Sequence, residues 1–144
     1  MQVKELMTEK VRAVGADATV RQAAQEMAQS NVGALPVARD RKLVGMVTDR
    51  DITVRALGKG LNPDETTVEQ VMSSDVLTLS ADQDVADAGR AMRDRQIRRA
   101  PVMNDDQQLV GIISLGDLAV KSGDAQLIGE VLKGISEPAA PNLR

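Results

Sequence analysis

Two short stretches carry the residue types best suited to chemistry. Gly45-Met46-Val47-Thr48-Asp49-Arg50-Asp51 and Gly111-Ile112-Ile113-Ser114-Leu115-Gly116-Asp117 share one pattern: a glycine, two apolar residues, a hydroxyl residue, and an aspartate three positions after it. The apolar pair reads as a strand that ends at the hydroxyl residue, and the aspartate falls in the first turn of a following helix. Hydroxyl and carboxylate then emerge at one strand-to-helix junction. Free backbone N–H groups and the positive end of the helix favour a phosphate there. The Thr48 or Ser114 hydroxyl adds a hydrogen bond, and the Asp51 or Asp117 carboxylate can accept from the hydroxyls of a ribose. A glycine in the strand permits close approach of a backbone or a ligand. The same spacing also fits an N-terminal capping box, with Asp in place of the preferred Glu or Gln. On the residues alone both readings stand.

Other chemistry is narrowed by what is missing. The 144 residues include no His, no Cys and no aromatic side chain. The usual general base near neutral pH, a thiolate nucleophile and a Cys or His metal site are therefore excluded. The remaining enzymatic arrangement is a metal-dependent phosphoesterase built from Asp49, Asp51 and Asp117. No pair of carboxylates stands at a catalytic spacing, and the expectation is a protein that is not an enzyme. A formal net charge of −3, with no aromatic platform for bases, argues against a nucleic acid partner. No apolar run reaches the roughly 18 residues that cross a bilayer, and the first residues lack the regions of a signal peptide. A soluble cytoplasmic protein is expected.

The elements that position the two motifs repeat once along the chain. An offset of 65 carries Met7 to Met72, Met27 to Met92 and Pro36 to Pro101; an offset of 66 carries Gly45 to Gly111. The one-residue slip falls in Asn104-Asp105-Asp106-Gln107-Gln108, where a turn absorbs it. Each copy reads strand, helix, strand, strand, helix. The first strands are expected over Val11 to Val14 and Val76 to Leu79. The first helices show apolar residues at Val20, Ala23, Ala24, Met27 and at Val85, Ala88, Gly89, Met92. Asp17 or Thr19, and Ser80 or Asp82, are their candidate caps. Hairpins follow over Ala34 to Val47 and Arg99 to Ile113, and second helices start near Thr48 and Ser114. The repeated Met residues are adaptable core packing.

The domain reading is one repeat over residues 1–62, a second over 63–123, and a C-terminal helix and tail over 124–144. The segment Asp124 to Ile135 is predicted as the helix, and Glu137 to Arg144 as a frayed tail. One repeat is too small to bury its own sheet, so the two are expected to cover each other as a single module.

This duplicated pattern resembles tandem cystathionine-β-synthase-type (CBS) repeats. The residues that carry the resemblance are Val32-Gly33-Ala34-Leu35-Pro36-Val37 followed by Gly45-Met46-Val47-Thr48-Asp49-Arg50-Asp51-Ile52, and the likeness covers Val3 to about Lys121. It implies a mixed α/β (α+β) fold of two β-α-β-β-α repeats with pseudo-two-fold symmetry. It also implies that Thr48 with Asp51, and Ser114 with Asp117, contact the phosphate and ribose of an adenosine-containing ligand in the clefts between the repeats.

Further positions follow from the same resemblance. Arg98 and Arg99 are placed to reach phosphates, and Arg suits phosphate through its forked donors; neighbours on a strand point to opposite faces, so both do not enter one cleft. The first copy has Gly33-Ala34 there, so the two clefts should differ. Arg50 meets a phosphate or pairs on the surface. Leu35, Pro36, Ala100 and Pro101 line a base pocket or belong to the core. The expected function is a non-catalytic regulatory module, a homodimer acting on an unidentified protein target. It needs no cofactor and takes an adenine nucleotide as regulatory ligand. The alternative is a ligand-free interaction or dimerisation module.

Overall fold

The computed structural model describes residues 1–138, and the chain divides into two compact units. One spans Val11–Val76. The other joins Met1–Lys10 to the chain from Leu77 onward. The last residues of the expected frayed tail, 139–144, lie outside the described residues.

In the first of these units β1 (Val14–Gly15) leads to α1 (Val20–Ser30), then to the hairpin of β2 (Ala34–Arg39) and β3 (Lys42–Thr48). β1 pairs parallel to β2 and β2 antiparallel to β3, with Asp40 and Arg41 both at positive φ in the two-residue turn. Thr19, one of the two expected caps, accepts from the Gln22 N–H at 3.1 Å and starts α1. α1 buries Val20, Ala23 and Met27, while Ala24 faces solvent. After β3 the chain forms α2 (Asp49–Asp51), a π-helical turn over Ile52–Ala56 and a 3-10 turn over Leu57–Lys59, closed by Gly60 at φ 70°. α3 (Val68–Val71) buries Val68 and Val71 beside Val20, Leu35, Val37 and Val47.

The second unit repeats the order with β4 (Leu79–Ser80), α4 (Val85–Arg95), β5 (Arg99–Met103), β6 (Leu109–Ser114) and α5 (Leu115–Lys121), and adds α6 (Ala125–Ser136). Its counterpart of α3 is the 3-10 turn Val3–Glu5 at the start of the chain, with Val3 and Leu6 buried beside Leu79, Val102 and Ile113. Thus Met1–Lys10 belongs to the unit of the second sequence copy, and Val68–Val71 to that of the first. A single helical turn cannot bury its own valines, so each turn docks on a sheet.

Two expectations shift. The strands β1 and β4 are two residues long, starting at Val14 and Leu79 rather than Val11 and Val76. Pro36 and Pro101 explain the shortness. Their antiparallel partners Met46 and Ile112 direct their N–H groups outward, to Ser73 and Thr8. Each proline's missing donor therefore falls on the β1 or β4 side and ends that ladder. The cap of α4 is Asp84, which accepts from the Ala86 N–H at 3.1 Å, not Ser80 or Asp82. Ser80 instead accepts from the Asp82 N–H within the preceding turn.

α6 has no counterpart in the other unit. Asp124 caps it, accepting from Leu127 N–H at 3.0 Å, and its Leu127, Val131 and Ile135 are buried against α4. Gly89 of α4 makes the seat: a β-carbon there would meet Val131 Cγ2 at 3.2 Å. Glu130 on α6 pairs with Arg93 and Arg90 of α4 at the rim. Among the described residues no helix is long and apolar enough to cross a membrane.

Candidate functional site

Both motifs form the junction expected of them. β3 ends at Thr48 and β6 at Ser114, each in extended conformation, and each is the N-cap of the helix that follows. Thr48 Oγ1 accepts from Asp51 N–H at 3.1 Å, and Asp51 Oδ2 accepts from Thr48 N–H at 2.9 Å. Ser114 and Asp117 repeat the geometry at 3.1 and 2.9 Å, and the Ser114 hydroxyl also donates to Asp117 Oδ2 at 3.0 Å. These are closed capping boxes. The pairing that organises each corner is therefore internal.

Each carboxylate uses only Oδ2 in its box. Oδ1 of Asp51 lies 3.9 Å from Arg55 Nε, and Oδ1 of Asp117 lies 3.4 Å from Lys121 Nζ. The aspartate side chains are 14% and 16% exposed, so each corner opens to solvent through a narrow window. Neither cation was singled out in the sequence, although both sit four residues after a motif aspartate at the same offset of 66.

Arg99 is the register partner of Ser114, and residues directly opposite on antiparallel strands share a face. Arg98 precedes the strand and gives its carbonyl to the Leu115 N–H at 2.7 Å. Of the two arginines, Arg99 stands beside the Ser114 corner. Its equivalent beside Thr48 is Ala34, so the two corners differ in charge as expected. Arg50 is exposed, and its N–H is held by Asp49 Oδ1 at 2.8 Å.

Leu35 and Ala100 are enclosed in the two hydrophobic clusters, as the core reading of these positions has it. Alternation along the strand sets this, since Leu35 shares a face with Val37, and Ala100 with Val102. Pro36 and Pro101 lie on the opposite faces and are also buried. The motif glycines admit a neighbouring backbone. Gly45 is covered by Met72 and the Ser73 carbonyl, and Gly111 by Met7 and the Thr8 carbonyl. Among the described residues no three acidic side chains gather as a metal site.

The family model for the CBS domain matches twice, over residues 3–58 and 68–123. The chain belongs to the CBS domain family. The CBS domain-containing protein YhcV of Bacillus subtilis is 41% identical over 134 residues, 93% of this chain and 94% of that one. A crystal structure of hypoxic response protein I with two coordinated zinc ions is 33% identical, with a TM-score of 0.73 over 83% of this chain and 97% of that one. The CBS domain pair of protein MJ0100, solved in complex with 5′-methylthioadenosine and S-adenosylmethionine, is 27% identical, with a TM-score of 0.76 over 85% of this chain and 96% of that one. The mixed fold of two three-stranded sheets with helices is thus that of a CBS pair.

Proposed function

We propose that this CBS pair is a non-catalytic regulatory module that takes an adenosine-containing ligand, of the AMP, ADP or ATP class, at its Thr48–Asp51 and Ser114–Asp117 corners. The observation that carries the reading is the half-used carboxylate in both corners. Oδ2 closes the capping box, and Oδ1 is left with a cation at 3.4 or 3.9 Å, available to a ribose hydroxyl. Arg99 beside Ser114 supplies positive charge for a phosphate, and Arg50 does so near Thr48. The adenosine ligands of the MJ0100 pair support the ligand class. The protein needs no resident cofactor under this proposal. It is a homodimer whose packing the ligand biases toward a protein target.

The zinc ions of hypoxic response protein I are not carried over. This chain has no His or Cys to offer, and its described carboxylates form no group of three.

Calorimetric titration with AMP, ATP and S-adenosylmethionine tests the reading, with Asp51→Asn and Asp117→Asn as controls. Asparagine keeps an acceptor for the capping box but removes the charge. Binding below millimolar Kd that weakens in these variants supports the proposal. Absence of binding, or variants that bind like the wild type, overturns it.

A second reading is favoured by the closed boxes themselves, which satisfy hydroxyl and carboxylate without any ligand. The chain is then a ligand-free interaction module. It would give a dimer in light scattering and no thermal shift with any of the three ligands.

A further inference from the structure

Arg55 and Lys121 do in each unit what no composition or motif argument assigns to them. Lys121 Nζ donates to the Leu6 carbonyl at 3.1 Å while standing 3.4 Å from Asp117 Oδ1. Arg55 donates through one guanidinium nitrogen to the Val71 carbonyl at 3.2 Å and the Met72 carbonyl at 3.4 Å, while its Nε faces Asp51 Oδ1. Leu6 and Val71 are repeat-equivalent, and each ends the short helical turn that docks on its sheet. The last carbonyls of a helix have no partner within it and take hydrogen bonds from nearby cations.

The two units reach this link by different backbones. Lys121 ends the regular helix α5, whereas Arg55 lies in the π-helical turn, where the Leu57 N–H bonds the Ile52 and Thr53 carbonyls. A link that survives such a change of helix type, and a change from Arg to Lys, is not a by-product of one local geometry.

We infer that Arg55 and Lys121 are positioning residues, each tying the motif carboxylate to the end of the short helix that packs on the same sheet. The consequence for the ligand rests on the proposed function. A ligand that engages Asp51 or Asp117 meets a carboxylate whose Oδ1 is already oriented by the cation, and occupancy is felt by residues 71–73 or 6–8. Residues 72–76 run directly to Leu77, where the chain enters the other unit. The Asp51 corner is therefore linked to one of the two places where the chain crosses between units, the other being Lys10 to Val11.

Hydrogen exchange on the ligand-free full chain tests the link. Arg55→Met is expected to speed exchange of the Met72 and Ser73 amides by about tenfold and leave Met7 and Thr8 unchanged. Lys121→Met is expected to do the reverse. The swaps Arg55→Lys and Lys121→Arg should restore protection, which a loss of alkyl packing alone would not predict. A stability cycle of Arg55→Met with Asp51→Asn should be non-additive. AMP affinity should fall by roughly threefold to tenfold in the Met variants and recover in the swaps. Unchanged exchange with an additive cycle overturns the inference. If the wild type binds neither AMP nor S-adenosylmethionine, the ligand proposal fails, and exchange and the cycle still decide the link.

Discussion

Met72 lies across Gly45 so closely that a β-carbon on the glycine would stand 2.7 Å from its sulfur and 2.6 Å from the Ser73 carbonyl oxygen. Gly111 repeats the relationship with the Met7 sulfur and the Thr8 carbonyl, both at 2.7 Å. The thioether can swing, but the carbonyl is fixed by the Met46–Ser73 and Thr8–Ile112 bridges. Gly45→Ala and Gly111→Ala should each cost about 1–3 kcal/mol in urea unfolding. Gly129→Ala in α6, with open space around it, should instead add up to about 1 kcal/mol from helix propensity. Equal effects at all three sites would refute the close-approach account.

The hydroxyl of each capping box can be weighed apart from any ligand. Thr48→Ala and Ser114→Ala remove the acceptor for the Asp51 and Asp117 N–H groups, and each should destabilise the protein by about 1 kcal/mol. Thr48→Ser keeps the acceptor and should stay within about 0.5 kcal/mol of the wild type. Chemical denaturation without nucleotide measures all three. A neutral Thr48→Ala would mean that the hydroxyl's half of the box contributes nothing to folding.

Arg21 and Asp64 give a pH dependence of known sign. The Arg21 guanidinium bonds both carboxylate oxygens of Asp64, at 3.1 Å for Nη2 to Oδ2, and holds its carboxyl below the usual carboxylate range. A depressed carboxyl stabilises the folded state above its unfolded value and loses that contribution as pH falls through the folded one. Asp64→Asn should therefore be less stable than the wild type at pH 7, and the gap should close on the acid side of about pH 4. The pair is exposed, so the gap should be small and should shrink in 1 M salt. A gap that persists unchanged at pH 2.5 would count against the ion pair as its source.

The repeat, the hairpins and both strand-to-helix corners were legible because they rest on local pattern: alternation in the strands, apolar spacing in α1 and α4, and a hydroxyl three residues before an aspartate. What escaped depended on distant partners. Nothing near Val3 says that the first residues pack with Leu79 and Ile113 rather than with their own copy. Leu35 and Ala100 read as pocket or as core from the sequence, and register places them beside Val37 and Val102 on the buried face. Arg55 and Lys121 acquire a role only when the fold brings Val71 and Leu6 to them. Asp84 displaced Ser80 and Asp82 as a cap because β4 extends to Ser80, which leaves room for a turn before α4.

α6 offers the last test, because it is the element without a repeat counterpart. Its buried face is made by Leu127, Val131 and Ile135, while Leu132 on the same helix is 46% exposed. Leu127 sits in the seat opened by Gly89, 3.6 Å from where a β-carbon on that glycine would lie. Leu127→Ala should cost about 2–4 kcal/mol, as buried leucine truncations do, whereas Leu132→Ala should cost less than about 0.5 kcal/mol. If α6 is integral to its unit, the loss at Leu127 appears as a lower urea midpoint of the whole transition with the slope unchanged. Should Leu127→Ala instead leave the midpoint alone and only expose the amides of residues 125–136 to exchange, α6 would be a separately melting cap, and the ion pairs of Glu130 with Arg90 and Arg93 would be holding an appendage rather than completing a core.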